Sequence, residues 1–401
     1  MEPLSVSRFR EYLQIQTVHP TPDYEKCTEY LKNQAAEIGL EYRAIEYVPG
    51  KAVVIMTWVG SKPELSSIIL NSHTDVVPVF EEFWDYPPFS AARIPTEDGD
   101  FKIYARGSQD MKVVGSCYLE AIRNLKAANF QPTRTLHLTF VPDEEIGGKD
   151  GMAKFVDSQD FKDLDAGFAL DEGIANPGPE LYAFYAERCS TQVRYTTHGE
   201  TGHGSQFIPN TAISKMMAIS KELLEFRDSE ENKLITQYGE ITQSNLGEVT
   251  TVNLNIFNGG VQTNVVPESF SAVFDIRVTP NRSITEFNEY LHSIAKKYDA
   301  EIENLGPVNE GAFTDISSDN QFWGALTKVV EKRGLKTINA IFPAATDSRY
   351  LRGIGIPAIG ISYLKDIPVL LHVHNEYITE SLFLDGIDFY TDLIHSLSII
   401  E

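Results

Sequence analysis

Residues 133–148 read TRTLHLTFVPDEEIGG, and the apolar run within them is the strongest pointer to the fold. LHLTFV is apolar on both faces, which suits a strand in the middle of a sheet covered by helices on either side. Three carboxylates follow at once: Asp143, Glu144 and Glu145. Adjacent acids repel one another, so a cluster at the mouth of a hydrophobic strand needs either solvent or a cation to settle it.

The same pattern recurs on both sides of this stretch. AVVIMTWVG (52–60), SSIILNS (66–72) and DAGFALDE (165–172) read as further strands, while YEKCTEYLKNQAAEIGL (24–40), KVVGSCYLEAIRNLKAA (112–128) and GMAKFVDS (151–158) have helical spacing. The expected class is α/β, a helix-covered and mostly parallel sheet. Near residue 188 the pattern changes. STQVRYTTHG (190–199) alternates, AISKMMAISKELLEFRD (212–228) is an amphipathic helix, GEVTTVNLNIF and SFSAVFDIRVT are strands, and SITEFNEYLHSIAKKYD is a second helix. That order makes most of a split βαβ, ferredoxin-like α+β module. It reads as an insertion. FWGALTKVVEKRGL, KTINAIF, PAIGIS and GIDFYTDLIHSLSII then resume the α/β character. The expected division is 1–188 with 308–401 as a catalytic domain, and 189–307 as a lid and dimerisation domain.

A chain of 401 residues fits two domains. Its net charge of −23 disfavours nucleic acid and anionic membranes as partners. The opening MEPLSVSRFREYLQ has no basic region followed by an apolar stretch, and no run reaches bilayer length, so a cytoplasmic protein is expected. Cys27, Cys117 and Cys189 are too few and too scattered for a disulfide framework or a thiolate metal site. Cys117, within a helix, reads as a small buried hydrophobe.

Acids and imidazoles gather just beyond the ends of the strands. His73 and Asp75 follow SIILNS, Glu144 and Glu145 follow LHLTFVP, Asp171 and Glu172 end GFALDE, and Asp110 opens the helix after ARGSQ. In an open parallel sheet those carboxyl ends line one edge, so residues distant in sequence converge there. His372 and His374 in VLLHVHNE follow another apolar stretch. One bridging carboxylate, two further carboxylates and two histidines suffice for two zinc ions with positions left open. Neighbours on an extended backbone point opposite ways, so one of Glu144 and Glu145 can bind metal while the other faces water as a base.

NSHTDVVPV, YARGSQDMK, PDEEIGG, LDEG, TGHGS and LLHVHNE occur in this order along the chain. Together they resemble the aminoacylase and glutamate carboxypeptidase family of dinuclear zinc amidohydrolases, over essentially the whole chain. The resemblance implies that His73 and Glu172 bind one zinc, Glu145 and His372 the other, and Asp110 bridges both. The spacing of His372 to Glu376 favours His372 over His374. Asp75 would orient His73, Glu144 would be the general base, and the Asp110–Met111 peptide would be cis. His203 in TGHGS matches a histidine that reaches the neighbouring subunit's site to stabilise the oxyanion, so a homodimer is implied. Asn264 and Arg277 match positions that hold the substrate carboxylate. The chain departs from the family pattern beside His203, with Thr201 where most relatives have proline and Gly204 where alanine is frequent.

The implied reaction is hydrolysis of N-acyl-L-amino acids to a free amino acid and a carboxylate, by a zinc-held water with Glu144 as base. Cobalt or manganese would suit the same ligands. A dipeptidase or carboxypeptidase of the same family is the alternative, and a non-catalytic binding relative a more distant one. Arg349 and Arg352 in TDSRYLRG either bind the substrate carboxylate or pair with Asp347 as structure. Asp143 reads as a solvated or capping acid, His137 as a hydrogen-bonded core histidine, and FWDYPPF (83–89) as packing. His19, His292 and His395 carry no motif and are assigned no role.

Overall fold

A computed structural model describes residues 1–306 and 311–401. They form two compact units. The first comprises Met1–Tyr185, Thr314–Asn339 and Thr346–Glu401; the second comprises Ala186–Phe313 and Ala340–Ala345. The sequence-based division at 188/189 lies three residues from the first of these limits. Its partner at 307/308 falls outside the described residues.

An eight-stranded sheet, which lies in the first unit except for residues 186–187 and 340–342, has the order Glu41–Val48, Lys51–Trp58, Leu136–Val141, Ser67–His73, Ala166–Asp171, Ala358–Ile361, Leu181–Glu187, Thr337–Phe342. Four neighbouring strands at its centre run parallel, from Leu136–Val141 through Ala358–Ile361. Antiparallel pairs flank them. Ser67–His73 and Leu136–Val141 are buried at every residue. Successive residues feed opposite faces, as the pleat requires. Ile68 and Leu70 join the core with the helices Lys112–Ala127 and Glu380–Ser398, whereas Ile69 joins Met152 and Phe155 on the other side. Both faces are therefore covered by apolar side chains.

Some elements carry no such pattern. Glu41–Val48, sequence EYRAIEYV, is an edge strand with no fully buried residue. Leu181–Glu187 was also not expected as a strand. The last helix starts at Glu380, where Thr379 accepts a hydrogen bond from the Leu382 amide, and not at Gly386 as the sequence suggests. Gly386 lies inside the helix because a Cβ there would come within 3.3 Å of Cys117 Sγ. Gly115 has a similar use. A Cβ on it would lie 2.7 Å from Ser72 Oγ and 2.9 Å from the Phe140 ring, so its absence seats the helix Lys112–Ala127 close behind the strand that ends at His73.

In the second unit the strands alternate. Cys189–His198 and Ser269–Val278 bury every second residue, pressing one face against the helices Ala212–Tyr238 and Ile284–Lys297. The sheet order is Thr251–Gly259, Ser269–Val278, Cys189–His198, Ala300–Asn304, with each neighbouring pair antiparallel. Ala300–Asn304 supplies the last strand of a βαββαβ module. Among the described residues no helix is long and apolar enough to cross a membrane.

His137 illustrates how the sheet treats a titratable group. It is buried in Leu136–Val141 with Nδ1 2.9 Å from Thr57 Oγ1. Burial, then the charge of Arg43, pushes it down to about 4. On unfolding the ring returns to its ordinary value near 6.5. Between those values the unfolded chain binds more protons, so stability falls as pH falls. The contribution is complete above about pH 6.5, and about 2 kcal/mol of it is lost by about pH 5. His137→Gln cannot protonate and should lack this component. Denaturant melts at the two ends of that range should show the wild type losing about 2 kcal/mol more than the variant; equal losses would refute the assignment.

Candidate metal centre

The parallel register builds the site. His73 pairs with Val141 across the sheet, and Leu70 with Leu170, so the segments after all three strands emerge side by side. Asp75, Glu144, Glu145 and Glu172 leave the sheet together for that reason.

His73 is fully buried, with Nδ1 3.0 Å from the Asp75 carbonyl oxygen. A proton shared there leaves Nε2 free as a ligand. The Asp75 carboxylate itself is further away, at 3.6 Å. His73 Nε2 lies 3.0 Å from Asp110 Oδ1 and 3.6 Å from Glu172 Oε2. The other oxygen of Asp110 lies 3.3 Å from His372 Nε2, which is 3.1 Å from Glu145 Oε2. Asp110 thus stands between two histidines, each with its own glutamate.

The loop that carries Asp110 is held from behind. Glu376 is fully buried and accepts hydrogen bonds from the amides of Gly107, Gln109 and Asp110, with Arg106 Nη1 at 2.8 Å. The Asp110–Met111 peptide is cis, as the resemblance implies.

Glu144 and Glu145 do not lie on extended backbone. They sit in a 3-10 turn, Glu144–Ile146, which follows Asp143 in the left-handed region at φ 65°. Both carboxylates still reach the cluster. Ligand atoms of His73, Glu144 and Glu172 lie within 4.8 Å of one another, as do those of His73, Asp110 and Glu145.

Four carboxylates with two imidazoles make a site short of positive charge. Burial, then the charge of Glu172, pushes Glu144 far above the carboxylate range. Burial, then Asp110, does the same to Glu172 and pushes Glu145 up to about 7. Hydrogen bonds to Asp110 and Glu145 push His372 up to about 10. Burial opposes a charge on His73, yet the Glu172 charge and its carboxylate neighbours prevail and raise it. Glu145 Oε1 is buried with no hydrogen-bond partner, and a buried oxygen left so is costly unless something binds it. These donors fit divalent metal, whose positive charge offsets that of the carboxylates.

Other expectations fare differently. Asp143 is buried rather than solvated: it accepts from Tyr24 Oη at 2.6 Å and from Lys51, whose ammonium balances its charge. Arg352 is also buried. Its Nη2 is 3.0 Å from the carbonyls of Phe184 and Ala358, so its guanidinium ties backbone together rather than facing a substrate carboxylate. Arg349 stands nearer the site, with Nη1 3.9 Å from Glu144 Oε1. His374 packs against Phe80 and Phe83, at ring distances of 6.3 and 5.1 Å, and takes no part in the cluster. Arg277, in the second unit, is paired with Asp275 at 2.8 Å. His203 there is exposed, with Nδ1 2.8 Å from Ser205 Oγ, and the carbonyl of Asn264 accepts from the Gly204 amide.

The surroundings of three residues carried no signal in the sequence. His19 Nε2 lies 2.8 Å from Asp75 Oδ2. Glu376 holds the Asp110 loop, although it was noted only for its spacing from His372. Asp347 is buried with neither carboxylate oxygen hydrogen-bonded, and burial, then the Asp171 charge, pushes it up to about 8.

Residues 69–396 match the model of peptidase family M20/M25/M40. The chain is 44% identical to aminoacylase-1 of Sus scrofa over 98% of its own length and 95% of that protein. It is 38% identical to aminoacylase-1 of Dictyostelium discoideum, over 98% and 97%. Among solved structures, an M20 family metallo-carboxypeptidase from Sulfolobus solfataricus superposes with a TM-score of 0.76 at 19% identity, covering all of both chains.

Proposed function

The chain belongs to peptidase family M20/M25/M40, and from that premise we propose that it hydrolyses N-acyl-L-amino acids to a free L-amino acid and a carboxylate. The observation that carries the reaction class is the Asp110 carboxylate standing between His73 and His372. The substrate class rests on the similarity to aminoacylase-1 along nearly the whole chain.

His73 and Glu172 would hold one zinc ion, Glu145 and His372 the other, and Asp110 both. When bound, the pair supplies a nucleophilic water at neutral pH and polarises the amide carbonyl. Glu144 takes the proton from the attacking water and returns it to the departing amine nitrogen, so one carboxyl serves as base and then acid. Arg349 beside it would hold the substrate's α-carboxylate, a task the family resemblance also gives to Asn264 and Arg277. His203 donates to the oxyanion of the tetrahedral intermediate. Since His203 stands exposed on the second unit, we assign it to the site of a partner subunit in a homodimer. Cys27 and Cys117, both buried free thiols, suit a reducing compartment such as the cytoplasm.

A panel of N-acetyl-L-amino acids and dipeptides, given to the metal-loaded protein, tests the reading. The acylated amino acids should be favoured by about tenfold or more in kcat/KM, whereas preference for dipeptides with a free amine would move the activity to the dipeptidases. The shared site has its own test. Mixing inactive His203→Ala and Glu144→Ala subunits should recover about a quarter to a half of the wild-type rate in heterodimers, as one of two sites regains all its groups. Confirmed heterodimers without activity would sink the arrangement in trans.

A further inference from the structure

Asp75 lies beneath the cluster with its carboxylate fully buried. Oδ1 accepts from the Glu144 amide and Oδ2 from the Glu145 amide, each at 3.1 Å. One side chain therefore sets the direction of two consecutive residues, the proposed base and a proposed ligand. Oδ2 has a second donor in His19 Nε2 at 2.8 Å. The histidine is delivered there by backbone. The amide of His19 donates to the Val76 carbonyl at 3.2 Å, the Val76 amide to the Thr17 carbonyl at 2.9 Å, and Thr17 Oγ1 to the Thr74 carbonyl at 2.5 Å. Residues 17–19 are thus laced along 74–76, and the ring has little room to turn away. Its other acidic neighbour is Asp143, at 4.0 Å from Nε2, which Tyr24 and Lys51 already occupy.

We infer that His19 is a positioning residue: through the Asp75 carboxylate it fixes the amides of Glu144 and Glu145 and so aims the Glu144 side chain. Removing the donor leaves Oδ2 with a single hydrogen bond, and the carboxylate is then held only by the two amides it is meant to fix. The turn it holds moves with it. The metal ligands depend on this contact far less, because four of the five proposed are anchored outside the Glu144–Ile146 turn. The inference rests on the proposed hydrolase reading for its kinetic consequence, though the positional one is independent of it.

The test uses His19→Leu, His19→Asn and His19→Gln in the full chain. Gln carries a donor nitrogen the same number of bonds from Cβ as the imidazole Nε2; Asn is polar but too short, and serves if the Leu protein does not fold. Hydrogen exchange, read by mass spectrometry on metal-free protein, should quicken about tenfold or more in the peptide spanning 143–146 of the Leu or Asn protein, with other regions little changed. With N-acetyl-L-methionine and bound metal, kcat should fall about 10–100-fold at nearly constant KM and metal content, as expected for an outer partner of a metal site. Gln should restore both. Unchanged exchange at 143–146, a loss confined to KM, or a Gln protein no better than Asn would overturn the inference. A wild type inert on every N-acyl substrate would instead refute the hydrolase reading, and the exchange data would still decide the role of His19.

Discussion

Glu144→Gln is expected to keep two metal ions per subunit while losing about 10³–10⁴-fold of kcat. The amide has the shape of the carboxylate it replaces, so the buried cavity at residue 144 is refilled without strain. What disappears is the ability to take a proton from water. The five proposed ligands, His73, Asp110, Glu145, Glu172 and His372, would remain to hold the metals, and KM should change little because the proposed base meets the reacting atoms rather than the rest of the substrate. Metal analysis alongside steady-state kinetics separates the possible results. Since Glu144 also lies within ligand distance of His73 and Glu172, loss of one metal in the variant would make it a ligand instead. Normal turnover with both metals bound would remove it from the chemistry.

Asp110→Ala should lose both metals and about 10⁴-fold or more of turnover, because each half of the cluster shares this one carboxylate. Its neighbours could not compensate. His73 with Glu172, and His372 with Glu145, would each be left as a pair below the three protein ligands usual for a catalytic zinc. The surrounding loop should survive, since Glu376 holds it by backbone amides at 107, 109 and 110 and by Arg106. Circular dichroism should therefore match the wild type while metal analysis does not. Full retention of two metals would refute the bridging role.

The residues gathered at the centre differ in how readable they were. His73, Glu145 and Glu172 follow strands whose apolar runs mark them for burial, and their side-by-side emergence follows from parallel register. His372 was chosen over His374 only by its spacing to Glu376, and the two rings take quite different surroundings: one meets Asp110 and Glu145, the other two phenylalanines. Asp143 was misread because its balancing cation, Lys51, is 92 residues away. For Arg352 the sequence left substrate binding and a structural role both open, and its contacts with the carbonyls of Phe184 and Ala358 favour the structural one.

By itself the chain's local pattern determined that apolar strands would alternate with amphipathic helices, that a module with half-exposed strands would interrupt them, and that acids and imidazoles would stand at the strand ends. Those properties belong to a few consecutive residues and follow from burial on one face or both. Only the tertiary structure decided that His19 would meet Asp75, that Glu376 would hold the Asp110 loop, and that Glu41–Val48 would pair at an edge. Each of these joins polar groups from distant segments, or pairs backbone without an apolar signature. Hydrogen-bond satisfaction in a closed core is a property of the packed whole, so no stretch of sequence carries it alone.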